Sequence, residues 1–328
     1  MSATHGGSRP MTPDDWFDTL CGPRADARIP DPQPLSDTEI ATALDVFAIP
    51  EPDRVPLAAT LPDPRRTPDL WEALLHCRRT LFTTPGAVQW PSAPAELGEA
   101  GRYFYAHLCV LSLSHALSLR QARAVPDEVT RATFADLGSK LTTYRLAHGT
   151  GGFDRQTWIT RHLRGTLHRL GRLQFELRTY DSPSWGAQGA PADGPGEDEP
   201  VLDVHIAEDG PLTTAACDAS FAAARPFFAR HHPEHPAAFA TCHSWLLDPA
   251  LGNHLKPHAN IVSFQRRFTL HGDSPVCDED VLEFVFHARP GTTSTEGLPR
   301  DNSLRRALLD QLDRGGHWHL RRGWLRMP

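Results

Sequence analysis

The chain has almost no lysine: Lys140 and Lys256 are the only two, and every other basic residue is arginine. A phosphate loop needs Gly-Lys-Ser/Thr at fixed spacing, and Gly138-Ser139-Lys140 does not supply it. Schiff-base chemistry is limited to the same two lysines. Close cysteine pairs are also missing. Cys21, Cys77, Cys109, Cys217, Cys242 and Cys277 lie far apart with no CxxC, which favours free thiols in a reducing compartment over disulfides. The longest apolar stretch, residues 104–119, is interrupted by His107, His115 and three serines, so it reads as a buried helix rather than a membrane span. Met1–Pro13 is polar and has no apolar signal core. A basic surplus is absent too: the formal net charge is −7, which argues against a general nucleic-acid binder. The expectation is a cytoplasmic protein that engages neither nucleic acid nor membrane.

What is present is a chain of 328 residues rich in proline and glycine, enough for two domains of ordinary size with many loops. The first half carries repeated helix-start signals. Thr12-Pro13 opens one helix, and Ser36 with Glu39 forms a capping-box pattern before residues 40–47. Thr67-Pro68 opens a third, where Leu70, Trp71, Leu74, Leu75, Arg78 and Leu81 follow helical spacing. A helix over 96–119 and another over 126–146 come next, with proline-rich connectors at 29–34 and 49–64. The cluster His148-Gly149-Thr150-Gly151-Gly152 reads as a joint, because no strand precedes it as a phosphate loop requires. A helical domain is therefore placed at 1–150 and a second domain at 151–328.

After Leu170 the period changes from helical to alternating. Strands are expected at 170–178, 201–206, 239–247, 260–270 and 281–288, with a last one within 318–327. Helices fit 213–231, 249–255 and 302–314, and residues 182–200 have the composition of a flexible hairpin loop. Alternation gives each strand one apolar and one polar face. Arg172, Gln174 and Glu176 share the polar side of the first strand, Asp203 and His205 that of the second, and Thr241 and His243 that of the third. Gln265 and Arg267 follow on the fourth, Glu283 and His287 on the fifth. A sheet with one face on water gives this pattern, and so does a polar cleft. Other groupings carry less. Cys242 and His243 point to opposite faces, and Ser244 lacks the Gly-x-Ser-x-Gly elbow. His231, His232 and His235 fit a solvated loop better than a metal site.

The segments LGRLQFEL (170–177), VLDVHI (201–206), DGPLT (209–213), TCHSWLLD (241–248), NIVSFQRRF (260–268) and GGHW (315–318) together resemble the GNAT-type C-terminal domain of bacterial two-part acyltransferases. In that family a helical acyltransferase domain comes first. The resemblance implies an α+β chain: a helical N-terminal domain, then a GNAT-like mixed, mainly antiparallel sheet with flanking helices. It implies direct transfer of an acyl group from acyl-CoA or acetyl-CoA to a small-molecule amine, with no metal. Strands 201–206 and 239–247 become the parallel pair that splays around the donor. Ile206, Gly210, Leu212, Thr213 and Thr214 then form its binding turn, at a helix N-terminus whose N–H groups favour phosphate. That turn lacks the family's Gln/Arg-x-x-Gly-x-Gly/Ala signature and carries Glu208 and Asp209. Tyr180, the only tyrosine after residue 150, is away from the family's proton donor, leaving His254, Ser244 or water. The alternative is a ligand-binding or regulatory module that keeps the shape without the reaction.

An amine must lose a proton to attack a thioester, so a base must stand within hydrogen-bond reach. His205 is the first candidate because its ordinary pKa is near neutral. Glu283 and Glu176 follow, each needing burial to raise its pKa, and His243 is a further catalytic candidate. Gln265, Arg267 and Asp203 are expected to orient the acceptor, and main-chain N–H groups near Ile206 to polarise the thioester carbonyl.

Overall fold

The computed structural model describes residues 11–21, 29–86, 88–187, 189–289 and 291–328; most of the polar N-terminal segment, Met1–Pro10, lies outside the described residues. The chain forms two compact units, one of Met1–Ala116, Leu137–Arg145 and Gly149–Arg164, the other of Leu117–Asp136, Leu146–His148 and Gly165–Pro328.

The first unit is helical. Four helices come first: α1 (Pro13–Leu20), α2 (Asp37–Val46), α3 (Glu51–Ala59) and α4 (Pro68–Thr83). Then follow α5 (Gly98–Ala122), α6 (Asp127–Phe134, in the second unit), α7 (Asp136–His148) and α8 (Gln156–Arg164). Thr12 and Ser36 each close a capping box, and Pro68 begins α4. Two expectations change. The connector 49–64 contains α3: Pro52 sits in its first turn, where a missing N–H is tolerated, and Glu51 and Asp53 suit the positive helix end. The helix expected over 126–146 is two helices, divided at Ala135. Asp53 is fully buried; it accepts from Tyr103 Oη at 2.6 Å and pairs with Arg145 at 2.5 Å. A Cβ on Gly151 would lie 1.8 Å from Tyr103 Oη, so this part of the glycine cluster is a close-packing joint.

The second unit is built on six strands: β1 (Leu167–Leu170), β2 (Leu173–Thr179), β3 (Pro200–Ile206), β4 (Phe239–Ser244), β5 (Thr269–Leu270) and β6 (Arg321–Arg326). Their order is β1-β2-β3-β4-β6-β5, and only β3 and β4 run parallel. Its later helices are α9 (Thr214–His231), α10 (Leu251–His254), α11 (Asn260–Gln265), α12 (Asp278–Phe286) and α13 (Ser303–Asp313). On one face of the sheet Leu173, Phe175, Leu202, Val204, Ala240 and Cys242 join Phe221, Ala224 and Phe228 of α9 and Phe264 of α11 in a single core. The α9 residues recur at i, i+3 and i+7, the stripe a helix must bury against a sheet.

Two expected strands are helices. In 260–270 only Thr269–Leu270 is extended; Ile261, Phe264 and Phe268 also satisfy helical spacing, and burial against α9 selects it. Residues 281–286 lie in α12, whose first turn carries Asp278, Glu279 and Asp280 at the positive helix end. The strand expected over 239–247 stops at Ser244, whose hydroxyl accepts from Leu246 N and starts a 3-10 turn. Arg172 lies in the β1–β2 turn rather than on a strand. The loop expected to be flexible, 182–200, is tied down. Ser182 N donates to Glu197, Asp273 N donates to Trp185 O, and Trp185 is buried against Tyr180 and His243. Among the described residues all six cysteines are unbridged, and no helix is long and apolar enough to cross a membrane.

Candidate active site

The sheet face opposite the core gathers polar side chains because the registers align. Glu176 stands opposite Asp203 and Gln174 opposite His205 across β2–β3, while Asp203 is level with Thr241 across β3–β4. His205 Nε2 lies 2.9 Å from Glu176 Oε2 and 3.6 Å from Asp203 Oδ2, and Thr241 Oγ1 donates to Asp203 Oδ1 at 2.7 Å. Two carboxylates directly opposite repel each other. The histidine and the hydroxyl offset that repulsion, as does Arg178, 3.9 Å from Glu176.

Burial pushes the Asp203 carboxyl up, but His205, His243, the Thr241 hydrogen bond and Arg178 together hold it below the usual range. His243 is pushed down by burial more than nearby Asp203 raises it, so it is neutral at neutral pH. Its Nε2 is buried without a hydrogen-bond partner. In neutral His205 the Nε2–H donates to Glu176, which leaves the basic lone pair on Nδ1. The ligand atoms of Glu176, Asp203 and His205 also lie within 4.8 Å of one another, close enough to share a divalent cation; the His205–Glu176 and Thr241–Asp203 hydrogen bonds already account for the cluster.

Beside this cluster the sheet opens. β3 and β4 pair only through Val201↔Phe239, Leu202↔Ala240 and Asp203↔Thr241. Yet β3 runs on to Ile206 beside β2, and β4 to Ser244 beside β6. Three residues of each strand therefore border a gap, with His205 on one arm and His243 on the other. The peptide edges that the arms turn toward each other form no ladder, so they are able to receive an extended ligand.

At the end of β3 the chain turns through Gly210, with φ of 72°, into α9, where Thr213 Oγ1 accepts from Ala216 N. Leu212 anchors the turn in the core, and Thr214 begins the helix. The negative charge of Asp209 is turned away: its carboxylate pairs with Arg169 at 2.9 Å. Arg172 donates to the carbonyls of Gly210 and Pro211, and Arg267 donates to that of Thr214. Arg172 Nη1 and Arg267 Nε remain buried without partners. Two guanidinium groups thus flank a helix start that already favours an anion.

Several candidates serve elsewhere. Gln265, on α11, donates twice from Nε2, to the carbonyls of Leu246 and Asp248, and so ties down the turn after β4. Arg267 pairs with Asp218 of α9 at 2.6 Å rather than standing on the polar sheet face. Glu283 lies on α12, outside the sheet. His254 contacts Gln311 at 3.0 Å and Ser244 caps the following turn, so both suggested proton donors have structural partners. His231 and His232 are buried rather than solvated, and His232 Nε2 lies 2.8 Å from His168 Nε2.

Sequence reasoning set Tyr180 aside and missed Trp185; both line a pocket with Asp203, Thr241 and His243. Tyr180 continues the parity of Gln174, Glu176 and Arg178, so the alternation, carried two residues further, reaches it. Nothing in the composition of 182–200 marks Trp185 as a packed residue.

Comparison with known proteins bears on the fold as a whole. Residues 38–165 match the N-acyltransferase N-terminal domain family and residues 167–325 the GNAT-like C-terminal domain family. An acyltransferase mutant solved in complex with octanoyl-CoA is 34% identical, with 95% of this chain and 93% of that one aligned at a TM-score of 0.83. An acyltransferase in complex with decanoyl-CoA and teicoplanin is similar at the same identity and coverage, with a TM-score of 0.82. So is one in complex with CoA and 10C-teicoplanin, at 0.83. No curated protein sequence matches the chain.

Proposed function

The chain belongs to the two-part N-acyltransferase family and is an acyl-CoA-dependent acyltransferase; on that premise we propose how its site carries out the transfer. The observation that carries the proposal is the His205–Glu176 pair on one arm of the opening between β3 and β4. Arg172, Arg267 and the first turn of α9 hold the phosphates of the donor, and the peptide edges of β3 and β4 hold its extended arm. The absent family signature is replaced by these arginines, and Asp209 is neutralised by Arg169. Both features count against a module that has lost its donor.

The acceptor is a small molecule that presents an amine on the polar face. His205 Nδ1 takes a proton from that amine as its nitrogen attacks the thioester carbon. Glu176 holds the Nε2–H and stabilises the imidazolium that forms. Main-chain N–H groups near Ile206 donate to the carbonyl oxygen as it gains charge. The new C–N bond is kept, the C–S bond breaks, and the departing thiolate takes up the proton that His205 received, which returns the imidazole to its neutral form. Because similar acyltransferases were solved with octanoyl-CoA, decanoyl-CoA and teicoplanin, these donors and teicoplanin are the first substrates to try.

The test is thiol release from decanoyl-CoA over a panel of amines, comparing the wild type with His205→Ala. Turnover reduced by about 10²-fold or more, with donor binding retained, supports the assignment. Near-normal turnover in His205→Ala removes His205 as the base.

A further inference from the structure

Ser220 interrupts the apolar stripe of α9. It follows Cys217 by three residues and precedes Ala224 by four, on the face that the helix buries against the sheet, and it is 1% exposed. A serine inside a helix gains little by bonding back to its own backbone, as Ser220 Oγ does to Ala216 O at 2.9 Å. Its lone pairs do something further. Oγ accepts from Arg172 N at 2.9 Å and from Leu173 N at 3.3 Å, so one buried hydroxyl fastens the β1–β2 turn to α9. The two come close: a Cβ on Gly171, whose φ is 70°, would lie 3.2 Å from Ser220 Oγ. The fastened turn carries the arginines that shape the donor turn. Arg169 donates to Gly171 O and pairs with Asp209. Arg172 donates from Nε to Pro211 O at 3.2 Å and from Nη2 to Gly210 O at 2.9 Å. It is therefore held at both ends, its backbone by Ser220 and its guanidinium by two carbonyls. The remaining nitrogen, Nη1, is buried without a partner. A charged donor left unpaired opposes folding, so a fold that fixes one in place has it set for a ligand.

We propose that Ser220 is a positioning residue for the acyl donor: by holding the Arg172 backbone against α9 it sets Nη1 where a donor phosphate meets the helix start. This rests on the reading of Arg172 as a phosphate ligand and deepens it. Ser220 lies about two turns into α9, so it acts through the β1–β2 turn and takes no part in the bond changes. Its effect falls on the phosphates of the donor and spares the thioester arm.

Direct titration of the full chain with decanoyl-CoA and with decanoyl-pantetheine, which has the same thioester arm and no phosphates, tests this without an acceptor. Ser220→Ala is expected to raise the Kd for decanoyl-CoA at least fivefold and that for decanoyl-pantetheine less than twofold. Added to Arg172→Ala, it should weaken decanoyl-CoA less than twofold further, because the group it positions is already gone. Gly171→Ala displaces the same turn from its other side and should reproduce the selective loss, which keeps the test open if Ser220→Ala folds poorly. Equal weakening of both donors overturns the inference, as does no change, or a full fivefold loss added to Arg172→Ala; Ser220 then serves the fold alone. If Arg172→Ala by itself weakens both donors equally, the phosphate reading fails and the inference falls with it. That outcome is distinct from a selective Arg172→Ala beside an unselective Ser220→Ala, which overturns the inference and leaves the phosphate reading standing.

Discussion

His205 Nε2 and Glu176 Oε2 face each other at 2.9 Å across β2 and β3, the histidine 19% exposed and the carboxylate 7%. The carboxylate fixes which ring nitrogen carries the proton. Glu176→Gln places an amide in the same volume, and its N–H group, turned to Nε2, moves the imidazole proton to Nδ1, the atom that must stay basic. Turnover is expected to fall by about 10²-fold or more, with the KM for acyl-CoA little changed. Steady-state kinetics on the variant check this; wild-type turnover would remove Glu176 from the positioning role.

Arg172 reaches the donor turn from the β1–β2 turn, donating to the Gly210 and Pro211 carbonyls. Arg172→Ala loosens the turn and removes positive charge from the start of α9. The KM for decanoyl-CoA is expected to rise about tenfold, consistent with loss of a charged hydrogen bond worth roughly 1.5–3 kcal/mol. The KM for decanoyl-pantetheine, which has no phosphates, should change much less. Equal effects on both donors would place Arg172 outside phosphate binding.

Much of this was legible in the sequence, for reasons that differ along the chain. Capping boxes at Thr12 and Ser36 are local, so the helices they start could be read directly. Strict alternation around Glu176, Asp203 and His205 gave the correct polar face, because one-sided burial fixes strand parity. What the sequence lacked was register: nothing local says that Glu176 meets Asp203 or that β3 and β4 part after Asp203. The strands expected around Gln265 and Glu283 are helices because short apolar runs satisfy both periods, and packing decides between them. Asp209 looked like an obstacle until its partner Arg169, 40 residues away, was placed.

Gln265 is expected to matter for stability rather than recognition. Its amide nitrogen donates at 2.8 Å to both Leu246 O and Asp248 O and so fastens α11 to the turn after β4. Gln265→Ala leaves those carbonyls without this donor, at a cost of about 1–3 kcal/mol. A lower denaturant midpoint with an unchanged acceptor KM is the expected result. A raised acceptor KM at unchanged stability would return Gln265 to the substrate site.

The second unit also carries a buried histidine pair that should make stability depend on pH. Arg120 donates to His168 Nδ1 at 3.1 Å, which puts the His168 proton on Nε2, facing His232 Nε2 at 2.8 Å. Around them stand Arg123, His231, His235 and Glu234. Burial, then Arg120 and His232, push His168 well below its ordinary value. Burial, then Arg123, lower His232 to about 4 despite the opposing pull of Glu234. Both folded-state values lie below the unfolded value near 6.5, so in that window the unfolded chain binds more protons. The stability contributed by these neutral rings is complete above about pH 6.5 and is lost as pH falls from there toward 4. The slope is at most about 1.4 kcal/mol per pH unit for each histidine. Denaturant midpoints measured from pH 4 to 8 should fall more steeply for the wild type than for His232→Phe. Parallel curves for the two proteins would mean that the pair does not titrate on unfolding.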